Sequence, residues 1–128
     1  MADKLAGVDP HLITAIKRIL AAMDAFGYPI MVTDGVRTTA QQQALWRKGR
    51  TEPGAIVTYK DGVKDKSPHQ VHEDGFGHAV DCCFVVNGKP SWDARLPWKV
   101  YGAMGEALGL TWGGNFTRLH DLPNLELP

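Results

Sequence analysis

The chain has 128 residues, 44% hydrophobic and 22% charged, which is enough apolar material for one compact core and therefore a single domain, 1–128. Lysine plus arginine and aspartate plus glutamate both number 14, so the net charge is zero and the basic excess of a nucleic-acid binder is missing. No apolar run approaches the ~20 residues that span a bilayer. The opening MADKLAGVDPHL also lacks the basic-then-apolar pattern of a signal peptide, so the expectation is a monomer made in the cytoplasm that binds neither nucleic acid nor membrane.

The first element is a helix. Asp9 is its N-cap and Pro10 its first residue; Leu12, Ile16, Ile19, Met23 and Phe26 recur at helical spacing, and Gly27 stops it. A strand is expected from Ile30 to Thr33, then a turn through Gly35-Val36-Arg37. A second helix follows, with a capping box between Thr39 and Gln42 and an end at Gly49. The stretch from Arg50 to Lys66 reads as an exposed connector with one short strand at Ala55–Tyr59. The strongest strand runs from Ala79 to Val86, and Asn87-Gly88 is a hairpin signal. A third helix fits Leu96 to Leu108, with Val100, Met104 and Ala107 on one face. Leu110–Trp112 and Leu125–Leu127 are short terminal strands. Few, short, irregularly spaced strands among about three helices favour an α+β fold with a small antiparallel sheet.

Cys82 and Cys83 are the only cysteines. Neighbours on a strand point to opposite faces, so they are not expected to pair with each other and read as small strand residues. Trp98 and Trp112, with Trp92, are expected in the core or on groove walls, and Trp46 half-buried on the second helix.

Chemistry concentrates in SPHQVHEDGFGHAVD, residues 67–81. Asp81 lies inside the strongest strand, where a carboxylate is costly to bury unless it is paired or binds a metal. His69 sits in the preceding loop, and Gly75 and Gly77 permit the tight backbone that would fold it back onto Asp81. One imidazole and one carboxylate are two of the three protein ligands of a catalytic zinc, and the third must come from elsewhere. A loop rich in His and Asp also fits a merely solvated connector.

Taken in order, GVRTTAQQQALWRKGRTEPGAIVT, SPHQ, DGFGHAVD, WGGNF and DLPNLEL resemble the zinc-dependent peptidoglycan peptidases. The nearest branch is the phage-type L-alanyl-D-glutamate endopeptidases, related to the vancomycin-resistance D-Ala-D-Ala peptidases. The resemblance implies a Hedgehog/D-Ala-D-Ala-peptidase-like domain that hydrolyses the bacterial peptidoglycan stem peptide, with L-Ala–D-Glu as the expected bond and D-Ala-D-Ala as the alternative. It implies an endolysin made in the host cytoplasm that acts on the cell wall. Ser67-Pro68-His69 and Gly77-His78-Ala79-Val80-Asp81 match the motifs that supply the zinc ligands His69 and Asp81. Arg37 matches the arginine that steadies the oxyanion, and Asp121 the acid that activates water.

Two departures qualify the match. The loop between His69 and Gly77 is long, which leaves His72 as a competing ligand. Asn124 stands where the family has its third zinc ligand, a histidine. His120, four residues earlier, can replace it only if the backbone folds back, since an extended chain would separate the two by about 13 Å at ~3.3 Å per residue. Asn124 otherwise marks either a natural metal-poor variant or a substitution that disables the enzyme. Plainer roles stand beside these: Asp121 pinning the turn before Pro123, Glu126 on the polar face of a strand, Arg37 fixing the turn after the first strand, His11 exposed, and His78 facing away from the site. The rival to a working enzyme is a catalytically dead domain of the same fold that binds peptidoglycan or another protein.

Overall fold

A computed structural model describes residues 3–128. Helix α1 spans Pro10–Phe26. Asp9 caps it, its carboxylate accepting from the His11 and Leu12 amides at 2.8 and 3.3 Å. Gly27 ends it with φ 94°, a left-handed conformation that favours glycine. Its buried stripe is Leu12, Ala15, Ile16, Ile19 and Met23. Phe26, expected on that stripe, is 50% exposed instead, because it lies at the helix end beyond the sheet.

Strand β1 is Ile30–Asp34, α2 Thr39–Arg47, β2 Ala79–Val86, β3 Lys89–Ser91, α3 Trp98–Ala107, β4 Thr111–Trp112 and β5 Asn124–Glu126, with one 3-10 turn at Gly113–Asn115. The sheet is antiparallel in the order β1-β2-β5-β4, and β3 pairs the far end of β2 through the Asn87-Gly88 hairpin. Asn87 and Gly88 both take positive φ (52° and 75°), as a tight hairpin turn requires. The core gathers the α1 stripe, Val80, Cys82, Cys83 and Phe84 of β2, Trp98 and Tyr101 of α3, and Leu125 of β5. Both cysteines are buried and free. No helix among the described residues is long and apolar enough to cross a membrane.

Four local expectations are corrected. The capping box of α2 is Thr38 with Gln41, one residue earlier than expected: Gln41 N donates to Thr38 Oγ1 at 3.1 Å and Thr38 N to Gln41 Oε1 at 2.8 Å. That register turns Gln42 inward, fully buried. Residues 55–59 form no strand. The Gln42 amide there donates to the Lys60 carbonyl at 2.8 Å, and the Arg50 guanidinium to the Thr58 carbonyl at 3.2 Å, so side chains rather than a ladder tie the segment down. Helix α3 buries Trp98, Tyr101, Gly102 and Gly105, whereas Ala107 is exposed. A Cβ at Gly102 would collide with the Trp112 ring and one at Gly105 with Leu125, so the helix approaches β4 and β5 more closely than a larger side chain would allow. Trp92 lies on the surface, 54% exposed, beyond the reach of the core.

Candidate metal centre

Strand register lays out the site. Asp81 on β2 is the partner of Asp34 on β1 and of Asn124 on β5. Directly opposed residues share a sheet face, so three polar side chains form a row across three strands. The loop before β5 is held from both sides. Tyr101 Oη donates to the Pro123 carbonyl at 2.7 Å and Trp112 Nε1 to the Leu122 carbonyl at 2.8 Å.

His69 reaches this row from the loop before β2. The Ser67-x-His motif works locally: the His69 amide donates to Ser67 Oγ at 3.2 Å, and the Ser67 amide to Gln70 Oε1 at 2.8 Å. Across the loop, Arg37 N donates to the His69 carbonyl at 2.9 Å and His78 N to the Pro68 carbonyl at 2.8 Å. The residue is 4% exposed. Its Nδ1 lies 2.9 Å from the Gly35 carbonyl, an acceptor, so Nδ1 carries a proton and Nε2 turns inward.

Nε2 faces Asn124 Oδ1 at 3.1 Å and Asp81 Oδ1 at 3.4 Å. The Asn124 amide is oriented by its Nδ2, which donates to Glu126 Oε1 at 2.8 Å. Asp81 Oδ1 is buried without a hydrogen-bond partner among the described residues. With a neutral imidazole, three acceptors converge and no donor lies between them. Either a second proton on His69 or a cation must occupy that point. The proton is partly favoured already: burial opposes charge on His69, but the bond to Asp81 and its charge outweigh burial and raise the pKa. A divalent cation satisfies all three lone pairs at once, so the donor set fits a metal, with an amide oxygen in place of the softer imidazole that zinc prefers.

Around this point lies a groove of about 500 Å³, lined among others by Arg37, Lys60, His69, Arg118, Asp121 and Glu126. Burial, then the charge of Asp81, pushes the Asp121 carboxyl up to about 6. Burial also raises Glu126, against the hydrogen bond from Asn124. Asp121 also holds the turn through its backbone, since its amide donates to the Gly113 carbonyl at 2.9 Å and its carbonyl accepts from Asn124 N at 3.1 Å. This is the turn-pinning role expected before Pro123, and the same residue also lines the groove. Arg37 is clamped: Nε and Nη2 donate to Asp34 Oδ2 at 3.2 and 2.5 Å, and Nη1 to Gln42 Oε1 at 2.7 Å. Its Nη2 lies 3.7 Å from Asp81.

The competing histidines lie elsewhere. His72 stacks on His78 with ring centroids 3.7 Å apart, and His78 Nε2 donates to Asp74 at 2.7 Å. His120 is exposed, with Nδ1 on the Gly114 carbonyl at 3.1 Å. Asp34 and Glu126 are the two site residues that the sequence did not single out as such. The alternation that puts Glu126 on the face of Asn124 was the available signal for it. Asp34 needed the β1–β2 register.

No family model matches the chain. It is 31% identical over 110 residues to the peptidoglycan L-alanyl-D-glutamate endopeptidase CwlK of Bacillus subtilis (strain 168), a match covering 79% of this chain and 62% of CwlK. Its structure is similar to that of the L-Ala D-Glu endopeptidase ChiX of Serratia marcescens, with TM-score 0.64 and 27% identity over 98% of this chain and 84% of ChiX. The vancomycin-resistance D,D-pentapeptidase VanY in complex with Zn(II) shares the fold, with TM-score 0.65 and 16% identity over 98% of this chain and 76% of VanY. Three helices with a small antiparallel sheet make up the D-Ala-D-Ala-peptidase-like fold that these structures share. The chain thus shares the fold of these peptidoglycan peptidases and resembles CwlK in sequence, while spanning 62% of CwlK's length.

Proposed function

We propose that the chain is a zinc-dependent peptidoglycan peptidase that cleaves the stem peptide at the L-Ala–D-Glu bond, with His69, Asp81 and Asn124 as metal ligands. The observation that carries this reading is the convergence of three acceptor atoms, one of them a buried Asp81 oxygen without a donor among the described residues, beside a groove that His69 and Asn124 line. CwlK and ChiX, each named for L-Ala–D-Glu cleavage, support that bond over D-Ala-D-Ala. Zinc, when bound, polarises a carbonyl and makes water nucleophilic near neutral pH. Asp121, a carboxyl on the groove wall beside Asn124, takes the proton of the attacking water. Arg37 is a fixed cation on the groove wall. Three of its five N–H groups are held by Asp34 and Gln42, which leaves two to meet charge developing on the peptide carbonyl. The work is done on the cell wall, and a lytic phage-type role follows the sequence resemblance.

The test is hydrolysis of purified peptidoglycan by the zinc-loaded chain and by Asn124→His, with products identified by mass spectrometry. The expected products carry a new D-Glu amino terminus, and the histidine variant is faster by about tenfold or more, by the loss expected at an altered metal site. No cleavage by either variant contradicts the reading.

Asn124 itself favours a second reading, a wall-binding module with weakened metal. Cosedimentation with peptidoglycan, without cleavage by the chain as it stands, would select it.

A further inference from the structure

We propose that Glu126 is a positioning residue that turns the Asn124 carboxamide so that its oxygen, not its nitrogen, meets the cation. This rests on the reading of His69 and Asp81 as cation ligands. The two ends of a carboxamide have almost the same shape and opposite roles: the oxygen has lone pairs to give, while the nitrogen has only protons. An asparagine therefore ligates in one orientation and blocks the site in the other.

The structure shows what decides between them. Asn124 Nδ2 donates to Glu126 Oε1 at 2.8 Å while Oδ1 lies 3.1 Å from His69 Nε2. Turned over, the amide would set two oxygens against each other on the Glu126 side and aim N–H groups at the point where His69 and Asp81 converge. The carboxylate of Glu126 thus selects the ligating orientation. Strand geometry supplies the reach, because residues 124 and 126 lie on the same face of β5. Glu126 is opposite Ala79 on β2 and Thr111 on β4, short side chains that leave its carboxylate free to lean back toward Asn124. Asn124 is only 3% exposed, so its carboxamide meets protein groups rather than solvent at both ends.

The consequence is a site with one nitrogen and two oxygen ligands. Relative to a histidine at 124, an amide oxygen lowers affinity for zinc more than for manganese(II), an ion that favours oxygen ligands. The chain should therefore discriminate zinc from manganese less sharply than Asn124→His does.

The experiment is calorimetric titration of zinc and of manganese(II) into the metal-free chain, Glu126→Gln, Glu126→Leu, Glu126→Met, Asn124→His and His69→Ala, with cobalt(II) visible absorption as a second readout. Glu126→Leu is expected to lose about tenfold or more in zinc affinity, the range for removing a group that orients a ligand. Glu126→Gln still offers an oxygen to Nδ2 and stays within about threefold, with the cobalt band of the unaltered chain; a partner that keeps its hydrogen bond keeps the ligand oriented. Glu126→Met serves if the leucine variant does not fold. If His69→Ala abolishes binding while the leucine and methionine variants bind as the chain does, the role of Glu126 is wrong and the metal site stands. If glutamine costs as much as leucine, charge rather than orientation is the cause, and the proposal fails. If His69→Ala binds zinc unchanged, or nothing binds, the metal reading itself fails.

Discussion

Asp81 and Asn124 are register partners across β2 and β5, and the Asp81 oxygen that faces His69 is buried without a donor. A neutral side chain of the same shape relieves that oxygen. Asp81→Asn is therefore expected to stabilise the metal-free chain by about 1 kcal/mol, the scale of one unsatisfied buried group. It should also lower zinc affinity by at least about tenfold. Urea unfolding with chelator and with zinc measures both; a variant that is less stable in chelator would show that Asp81 is a structural partner of Arg37 rather than a ligand held in reserve.

Asp121 gives a pH signature. Its folded pKa of about 6 lies above the ordinary 3.8, so the folded chain binds its proton more tightly than the unfolded chain does. Between those values Asp121 holds more proton in the folded state, so its contribution to stability falls as pH rises through the window. Asp121→Asn should flatten that fall in metal-free protein. Thermal unfolding between pH 4 and 7 in chelator checks it, and equal slopes for the two proteins would count against it. A cation at His69 and Asp81 should draw the Asp121 pKa downward, visible by carboxyl carbon NMR.

Gly113 lets the turn through Asp121 lie close against the start of the 3-10 turn. A Cβ there would collide with the Asp121 carbonyl oxygen and press on Asp121 and Asn124. Gly113→Ala is expected to cost about 1–3 kcal/mol, as overpacking does, and to weaken zinc binding as well. Gly102→Ala, which meets the Trp112 ring, should destabilise the chain while affecting zinc affinity less. Unfolding and zinc titration of both variants separate the two effects.

Much of the fold was legible because it is written in local chemistry. The Asp9-Pro10 cap, the α1 stripe, the apolar run of β2 and the Asn87-Gly88 turn each act through neighbours in sequence. Helix α3 was harder, since its sheet-facing side carries Gly102 and Gly105, which an apolar pattern does not count. Residues 55–59 have strand-like composition but are tied down by Gln42, whose burial no local rule gave. The site divides in the same way. His69, Asp81 and Asn124 stand in recognisable strings and Glu126 follows Asn124 by alternation along β5, whereas Asp34 joins them only through the β1–β2 register, a long-range property.

Gln42 is the hub that the sequence hid. It holds the Arg37 guanidinium, the Lys60 carbonyl and Thr58 Oγ1 from a fully buried position. Gln42→Leu leaves those groups without their partner and should cost about 1–3 kcal/mol. It should also expose residues 50–60 to limited proteolysis earlier than the rest of the chain. Unchanged proteolysis would mean that the Arg50 contacts suffice to hold the segment.

His69, Asp81 and Asn124 are expected to hold one divalent cation between them. Zinc titration of the purified metal-free chain, beside His69→Ala and Asp81→Ala, tests it most directly. One zinc per chain is expected, lost in both variants. Absence of binding, or binding that survives both substitutions, would contradict it.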